Sequence, residues 1–427
     1  VQPKHPWYTF LIMKDTKENA NTNIKATNEG PTIESTLNAG ITNKVFPGLV
    51  LYIVRDEKLV FKSIRGYRSV HPDKLPMKED TLFDLASITK PLATTLTALK
   101  IFEEERIKLE TPVSHFLNPR ESEHLLARAK SYVEKITLFH LLTHTSGFPP
   151  VPDIYKHFRE TKTIDPLNAR KLLLEVTPTN EPGKEIIYSC TGFLYLGYIL
   201  ERITGVRLGT LFEKLIAEKA GIKNLTFLPT RSSLYYKRFI HSRENTKTRG
   251  EEIPTNPPQS LAEKIATEKN FACTEYCKWR KRWICGEVHD ENSYCFGGDG
   301  GNAGLFGTAE AVASILRIFT EEGCIGNTRI LSEESIKLMT KRAVSHNGQN
   351  RSIGFIMQGE NAPCGPLYSR DSYGHTGFTG TSVWIEPELN LKVILLTNRV
   401  HYGREETAEK IKEFRVRLHT AIYKTFA

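Results

Sequence analysis

The chain has 427 residues, 39% apolar and 25% charged, which is enough to bury a sizeable core and excludes a disordered or fibrous protein. Its longest apolar runs, "PGLVLYIV" from Pro47 and "LKVILLTN" from Leu391, are strand-sized, so no membrane span is expected. The formal charge of +9 is spread out except in "KWRKRW" (Lys278 to Trp283) and the polar run Arg231 to Arg249; solvated loops account for both, the first packing its tryptophans, and no nucleic-acid partner is expected.

In chain order, residues 1–40 include "KDTKENANTNIKATNEGPT", which has no hydrophobic period and is expected to be a flexible lead-in. The chain begins at Val1 rather than a methionine, which leaves a removed export signal open. A single domain is expected over 41–427, with structure from near Phe46. There "PGLVLYIVRDEKLVFKSIRGY" sets two apolar runs around the turn Arg55 to Lys58, a hairpin signature. Helical patterns follow at "SITKPLATTLTALKIFEEE", "TLFHLLTH", "NARKLLLEV", "TGFLYLGYILERITG" and "AEAVASILRIFTEE", separated by Pro- and Gly-rich loops. They predict a mostly helical lobe over about 105–320, interrupted by a polar loop from Arg231 to Pro258.

"TSVWIEPELNLKVILLTN" is a second hairpin, turning at Pro387 to Asn390, and "EETAEKIKEFRVRLHTAIYKTF" a final helix. Hairpins from both ends pairing into one antiparallel sheet, with helices on it and the lobe at one side, make an α+β fold with a site between lobe and sheet. Seven cysteines include Cys273, Cys277, Cys285 and Cys295 at spacings that match no standard zinc pattern. They are read as free thiols, which points to a cytoplasmic, reducing compartment, with export as the alternative.

Three short motifs carry chemistry. In "SITK", Ser87 stands three residues before Lys90 at the start of a helix whose first turn takes Pro91, so hydroxyl and amine share a face. A serine beside an amine base is a candidate nucleophile. Tyr188 and Cys190, in "YSC", precede an apolar helix and sit on a loop that the helix positions. In "YGHTGFTGTSVW", His375, Thr376 and Gly377 lead into a strand, and the glycine lets a substrate lie against the backbone. His144 and Ser146 in "LLTHTSGF" are read as a helix end stopped by Gly147, and "VHDEN" from Val288 as a hydrogen-bonded turn.

In that order the three motifs resemble the signature of the serine β-lactamase and penicillin-binding protein superfamily, in its class C and DD-peptidase-like branch, which includes esterases. "FPGLVLYIVRDEKLVF", "HLLTHTSGF" and "GGNAGLFGTAEAV" add to the resemblance, and "GEVHDENSYCFGG" is similar to β-lactamase-related penicillin-binding proteins and esterases. The resemblance implies Ser87 as nucleophile of an acyl-enzyme and Lys90 and Tyr188 sharing proton handling, either one being the base. It further implies the backbone N–H groups of Ser87 and Phe378 as oxyanion hole, and His375, Thr376, Gly377 and Cys190 lining the substrate cleft, with no metal or organic cofactor. A lysine in a dry cleft is expected to lose affinity for its proton.

The family usually carries asparagine where this chain has Cys190. A thiol is a poor substitute for an amide, which puts efficient β-lactam hydrolysis in doubt, and Cys190 is expected to be a small core residue at the helix start. A small ester, amide or peptide is the expected substrate. D-alanyl-D-alanine carboxypeptidase, β-lactamase, acyl transfer and a non-catalytic scaffold are the alternatives.

Overall fold

In the computed structural model, which describes residues 31–118, 132, 134–161, 163–228, 230 and 270–427, the two apolar runs from the ends of the chain lie side by side. β1 (Gly48–Arg55) turns through Asp56 and Glu57, both in the left-handed region at φ 49° and 59°, into β2 (Lys58–Ser69). Such a turn matches the twist of paired strands. β9 (Leu391–Thr397) pairs antiparallel with the other edge of β1, with Leu51 opposite Leu395. With β3 (Leu75–Pro76), β4 (Val344–His346), β5 (Gln349–Arg351), β6 (Ile356–Met357), β7 (Tyr373–Thr376) and β8 (Ser382–Glu386) they form a nine-stranded sheet in the order β4-β5-β6-β7-β8-β9-β1-β2-β3. The expected sheet from both chain ends is therefore present.

Alternation along β1 and β9 divides the core in two. Leu49, Leu51, Ile53, Leu391, Val393 and Leu395 face α1 (Ile33–Thr42) and the C-terminal helix α6 (Ala408–Phe426). Val50, Tyr52, Val54, Ile394 and Leu396 face the helical lobe. Because both faces are buried, neither strand needs polar alternation, and each reads in sequence as an unbroken apolar run. α1 falls inside the stretch expected to be a lead-in. Its Thr32 cap accepts from the Ser35 N–H, and Ile33 and Leu37 are buried against α6, so the ordered fold begins earlier than the polar composition suggests.

The lobe is built on α2 (Leu96–Glu105), α3 (Cys190–Thr204), α4 (Glu291–Cys295) and α5 (Ala309–Thr320). α3 is buried from Thr191 to Glu201; Ser189 Oγ caps it by accepting from the Gly192 N–H, and Gly205 at φ 73° ends it. A buried bidentate pair, Arg170 Nε to Glu201 Oε2 at 2.8 Å and Nη2 to Oε1 at 2.9 Å, fixes its C-terminal half. Removing one partner of such a pair typically costs about 3–5 kcal/mol. The loop expected from Arg231 to Pro258 lies outside the described residues, as do residues 1–30. No helix among the described residues is long and apolar enough to cross a membrane.

The cysteine expectation is corrected. Cys273 and Cys285 form a disulfide, while Cys190, Cys277, Cys295, Cys324 and Cys364 are free. The physical reason is a hairpin that spacing alone did not reveal. Tyr276 pairs with Trp283, the Thr274 N–H donates to the Ile284 carbonyl at 2.8 Å, and the Cα atoms of Cys273 and Cys285 come to 4.3 Å. The free-thiol argument for a reducing compartment loses its basis. "KWRKRW" forms the turn and second strand of this hairpin; Trp283 packs on His71 and His401, and Trp279 on Tyr294, as a loop packing its tryptophans should.

Closing a loop of this size stabilises a fold by about 3 kcal/mol through the unfolded chain. Alkylation of unfolded, non-reduced protein is expected to modify five cysteines and spare Cys273 and Cys285, as peptide mapping would record. Seven modified residues would refute the pairing, and reduction of the native protein should lower its thermal midpoint.

Candidate active site

The approach to Ser87 is a strained, over-determined turn. A short strand, Phe83–Asp84, pairs with Leu305–Gly307, and Ala86 follows in the left-handed region at φ 47°, unusual for a residue with a side chain. Asp84 fixes it: one buried carboxylate oxygen accepts from the Ala86 N–H at 2.8 Å and the other from the His289 N–H at 2.7 Å. Burial, incompletely offset by these bonds, raises the carboxyl pKa above the ordinary value. Ala86–Ile88 is a 3₁₀ turn and Lys90–Thr95 a π-helical segment with Pro91 in its first turn, which then runs on as α2.

Lys90 is fully buried and makes the expected contact, its Nζ lying 3.1 Å from Ser87 Oγ. Nζ also donates to the Asn302 carbonyl at 2.8 Å and lies 3.5 Å from Cys190 Sγ. Asn302 belongs to the Gly-rich loop after α4. Gly301, at φ 93°, packs there so closely on α3 that a Cβ would fall 2.4 Å from the Phe193 carbonyl.

Tyr188 faces the same amine, with Nζ 4.9 Å from the ring centroid, and its hydroxyl interacts with both Lys90 and Ser87. Burial works against the Lys90 ammonium, but the neighbouring Cys190 and Tyr188 outweigh it and raise the lysine above its ordinary pKa. Burial likewise raises the Tyr188 phenol, with Lys90 only partly opposing it. Both groups therefore hold their protons at neutral pH, contrary to the expectation that a dry cleft would neutralise the lysine.

Cys190 is also corrected. It is half-buried at the first turn of α3, its N–H held by the Pro150 carbonyl at 2.7 Å, and its thiol points at Lys90 rather than into the core. α3 packs against the Lys90–Thr95 segment, which places its first residue beside the amine.

The His375–Phe378 turn closes the other side. It is clamped to the backbone that leads into Ser87: Thr379 Oγ1 donates to the Asp84 carbonyl at 2.7 Å and Thr381 Oγ1 to the Leu85 carbonyl at 3.1 Å. The Gly377 N–H is taken by the Thr381 carbonyl at 2.7 Å. Arg415 Nη2, from α6, donates to the Gly377 and Thr381 carbonyls at 3.3 and 2.8 Å. Half-buried Phe378 is stacked on His289 at 5.5 Å and covered by the Arg399 guanidinium at 4.8 Å. His375 is buried, with Nδ1 2.9 Å from the Thr376 carbonyl; burial first, then the nearby Lys90 and Arg351, hold its pKa well below the ordinary value, so it is neutral. Thr376 is partly exposed, consistent with a cleft position.

Four residues that matter were not singled out in the sequence, or were read as bland. His144 is more than a helix end. Its backbone is left-handed at φ 61°, its Nδ1 accepts from the Ser189 N–H at 3.0 Å and its ring lies 4.6 Å from that of Tyr188, so it holds the tyrosine loop. Asp84 and Asn302 lie next to recognised motifs. Arg351, whose guanidinium carbon lies 5.4 Å from the Tyr188 ring centroid, gave no signal, because nothing in "QNRSIG" separates it from a surface arginine. The "VHDEN" turn is as expected: Asp290 caps α4 by accepting from the Ser293 N–H at 2.7 Å. Among the described residues no group of three His, Cys, Asp or Glu side chains is placed to hold a metal ion.

The family model described as Beta-lactamase matches residues 33–416, most of the chain. The chain belongs to this family. Among curated proteins it is 28% identical over 369 residues to an N-acetylmuramyl-L-alanine amidase of Bacillus subtilis, spanning 83% of this chain and 78% of that protein. It is 26% identical over 388 residues to a putative D-alanyl-D-alanine carboxypeptidase of Salmonella paratyphi A, spanning 86% and 81%. Among solved structures, EstCE1, a hydrolase with promiscuous acyltransferase activity, superposes with a TM-score of 0.65 at 20% identity over 92% of this chain and 97% of that one, which establishes the shared fold. Homologues and neighbours are serine hydrolases, and this β-lactamase-family chain is an enzyme of that type.

Gly377 is the position where the clamp leaves no room, since a Cβ there would lie 2.1 Å from Thr381 Oγ1 and 2.6 Å from the Leu85 carbonyl. Gly377→Ala is expected to push the turn off the Ser87 backbone and slow acylation by about 100-fold or more, the scale of losing an oxyanion-hole donor. Burst kinetics with a nitrophenyl ester would record it, and a variant as fast as wild type would show that the turn does not set the site.

Proposed function

We propose that the protein hydrolyses a small ester, amide or peptide through an acyl-enzyme on Ser87. The single observation that carries this is the 3.1 Å contact between Ser87 Oγ and the buried Lys90 amine, with Tyr188 beside both. Ser87 Oγ bonds to the substrate carbonyl carbon while its proton passes to the Lys90–Tyr188 pair. The N–H groups of Ser87 and Phe378 receive the developing oxyanion. The pair returns the proton to the leaving alkoxide or amine; water then bonds to the ester carbonyl carbon, its proton passes through the pair to Ser87 Oγ, and the C–Oγ bond breaks to restore the serine. Similarity to an amidase and a carboxypeptidase supports amide and peptide substrates.

Since both members of the pair hold their protons at neutral pH, the base form is scarce there and grows by about tenfold per pH unit until the first proton is lost. Acylation of Ser87 by p-nitrophenyl acetate is therefore expected to rise through pH 7 to 8.5 rather than level off near 6. Ser87→Ala should abolish labelling by a fluorophosphonate, and Lys90→Ala and Tyr188→Phe should each slow acylation by about 100- to 10,000-fold while the circular dichroism spectrum is kept. Labelling that survives Ser87→Ala, or a rate already flat below pH 7, would count against the mechanism.

The thiol of Cys190, directed at Lys90, offers a substrate's acylamino group a poor partner, and a net hydrogen bond is worth about 0.5–1.5 kcal/mol. Simple esters lack that group. Turnover of an aryl ester is expected to exceed that of a chromogenic cephalosporin, and Cys190→Asn to shift the ratio of kcat/KM values toward the lactam. A ratio that does not move would release this position from substrate choice.

A further inference from the structure

Arg351 ends β5 with its side chain buried and its guanidinium over the Tyr188 ring, yet no carboxylate among the described residues offsets its charge. Its Nη1 is buried without a hydrogen-bond partner. An unpaired buried cation is costly, and the cost is recovered where a negative charge forms beside it. The ionisable group that acts on Arg351 is Tyr188.

The other neighbours of that ring supply no charge. His144 takes the Ser189 N–H on Nδ1 and so carries its proton on Nε2, which is unpartnered; His375 has Nδ1 against the Thr376 carbonyl, leaving Nε2 unpartnered. Burial first, then the nearby cations, keeps both rings neutral. Lys90, in contrast, has Nζ against the Asn302 carbonyl, which can only accept, and against Ser87 Oγ, Cys190 Sγ and the Tyr188 hydroxyl. The carbonyl requires an N–H from Lys90 and, although burial opposes it, the neighbouring Cys190 and Tyr188 favour the ammonium over the neutral amine. The Tyr188 ring thus lies 4.9 Å from one cation and 5.4 Å from another.

We infer that Arg351 is a positioning residue that supports a transient phenolate on Tyr188, making Tyr188 the base toward Ser87 while Lys90 stays charged. The inference rests on the function proposed above and deepens it. Tyr188 first loses its proton to solvent in the active fraction of the enzyme; as the bond between Ser87 Oγ and the carbonyl carbon forms, the serine proton moves to this phenolate, and the tyrosine O–H then gives it to the leaving group. The groups facing this exchange are Lys90, Cys190, Arg351, His144 and His375, with Asp290 acting on Lys90 and Arg415 on His375.

The test is the acylation rate of wild type, Arg351→Met and Arg351→Lys between pH 6 and 10, with p-nitrophenyl acetate as neutral ester and mono-p-nitrophenyl succinate as anionic ester. Arg351→Met is expected to slow acylation by the neutral ester about 30-fold across the rising limb between pH 6 and 10 and to leave KM nearly unchanged. Arg351→Lys keeps the charge and should stay within about fivefold of wild type with the same pH profile. Should the methionine variant not fold, Arg351→Gln takes its place. An unmoved rate in the neutral variant overturns the inference, as does a loss confined to KM of the anionic ester, which would make Arg351 a substrate-binding residue. A wild-type Ser87 that is never acylated overturns the proposed function as well, whereas an acylated wild type with an indifferent Arg351→Met overturns this inference alone.

Discussion

The buried Lys90 ammonium is the constraint around which the site is organised. A charge with no exposed surface must be surrounded by acceptors, and they come from three separate parts of the chain: the serine one turn before it, the thiol at the start of α3 and a carbonyl of the Gly-rich loop. Each can approach only because something else gives way. Gly301 and Gly197 let the loop lie against α3, and Thr94 Oγ1, one turn beyond Lys90, donates to the Gly301 carbonyl at 2.7 Å. The helical segment that carries Lys90, the loop and α3 are thereby fixed relative to one another.

The sheet enters the site through backbone rather than through charge. Thr379 and Thr381 bind the carbonyls of Asp84 and Leu85, and Asp84 in turn holds the left-handed Ala86 and the His289 turn. Ser87 and Phe378 are consequently set by one continuous set of hydrogen bonds between sheet and lobe. The left-handed backbones of Ala86 and His144 are the strained points of this arrangement, and both flank proposed catalytic residues.

Several buried or partly buried cations away from the site are paired with carboxylates. Arg170 has Glu201, Lys392 has Glu57 at 2.6 Å, and Arg404 has Glu275 and Glu291. Around Tyr188, by contrast, Lys90 and Arg351 face neutral histidines and a phenol. An excess of buried positive charge suits a site where an oxyanion, a phenolate or both must form in a low-dielectric setting.

The sequence by itself determined the two terminal hairpins at the centre of the sheet and the short-range chemistry. Period-two and period-3.6 patterns are local, so both terminal hairpins, the apolar α3 and the Ser87–Lys90 pair could be read directly, the last because residues i and i+3 share a helical face. Ser87, Lys90 and Tyr188 were legible through ordered motifs. Only the tertiary structure decided what depends on contacts between distant segments. It paired Cys273 with Cys285 across a hairpin, turned Cys190 toward Lys90, gave α1 a partner in α6 and brought Arg351 over Tyr188. The direction of the Lys90 shift belongs to the same class. Burial could be anticipated from a dry cleft, but the neighbours that outweigh it are supplied by residues 98 and 100 positions away, and an electrostatic balance follows distance in space rather than distance along the chain.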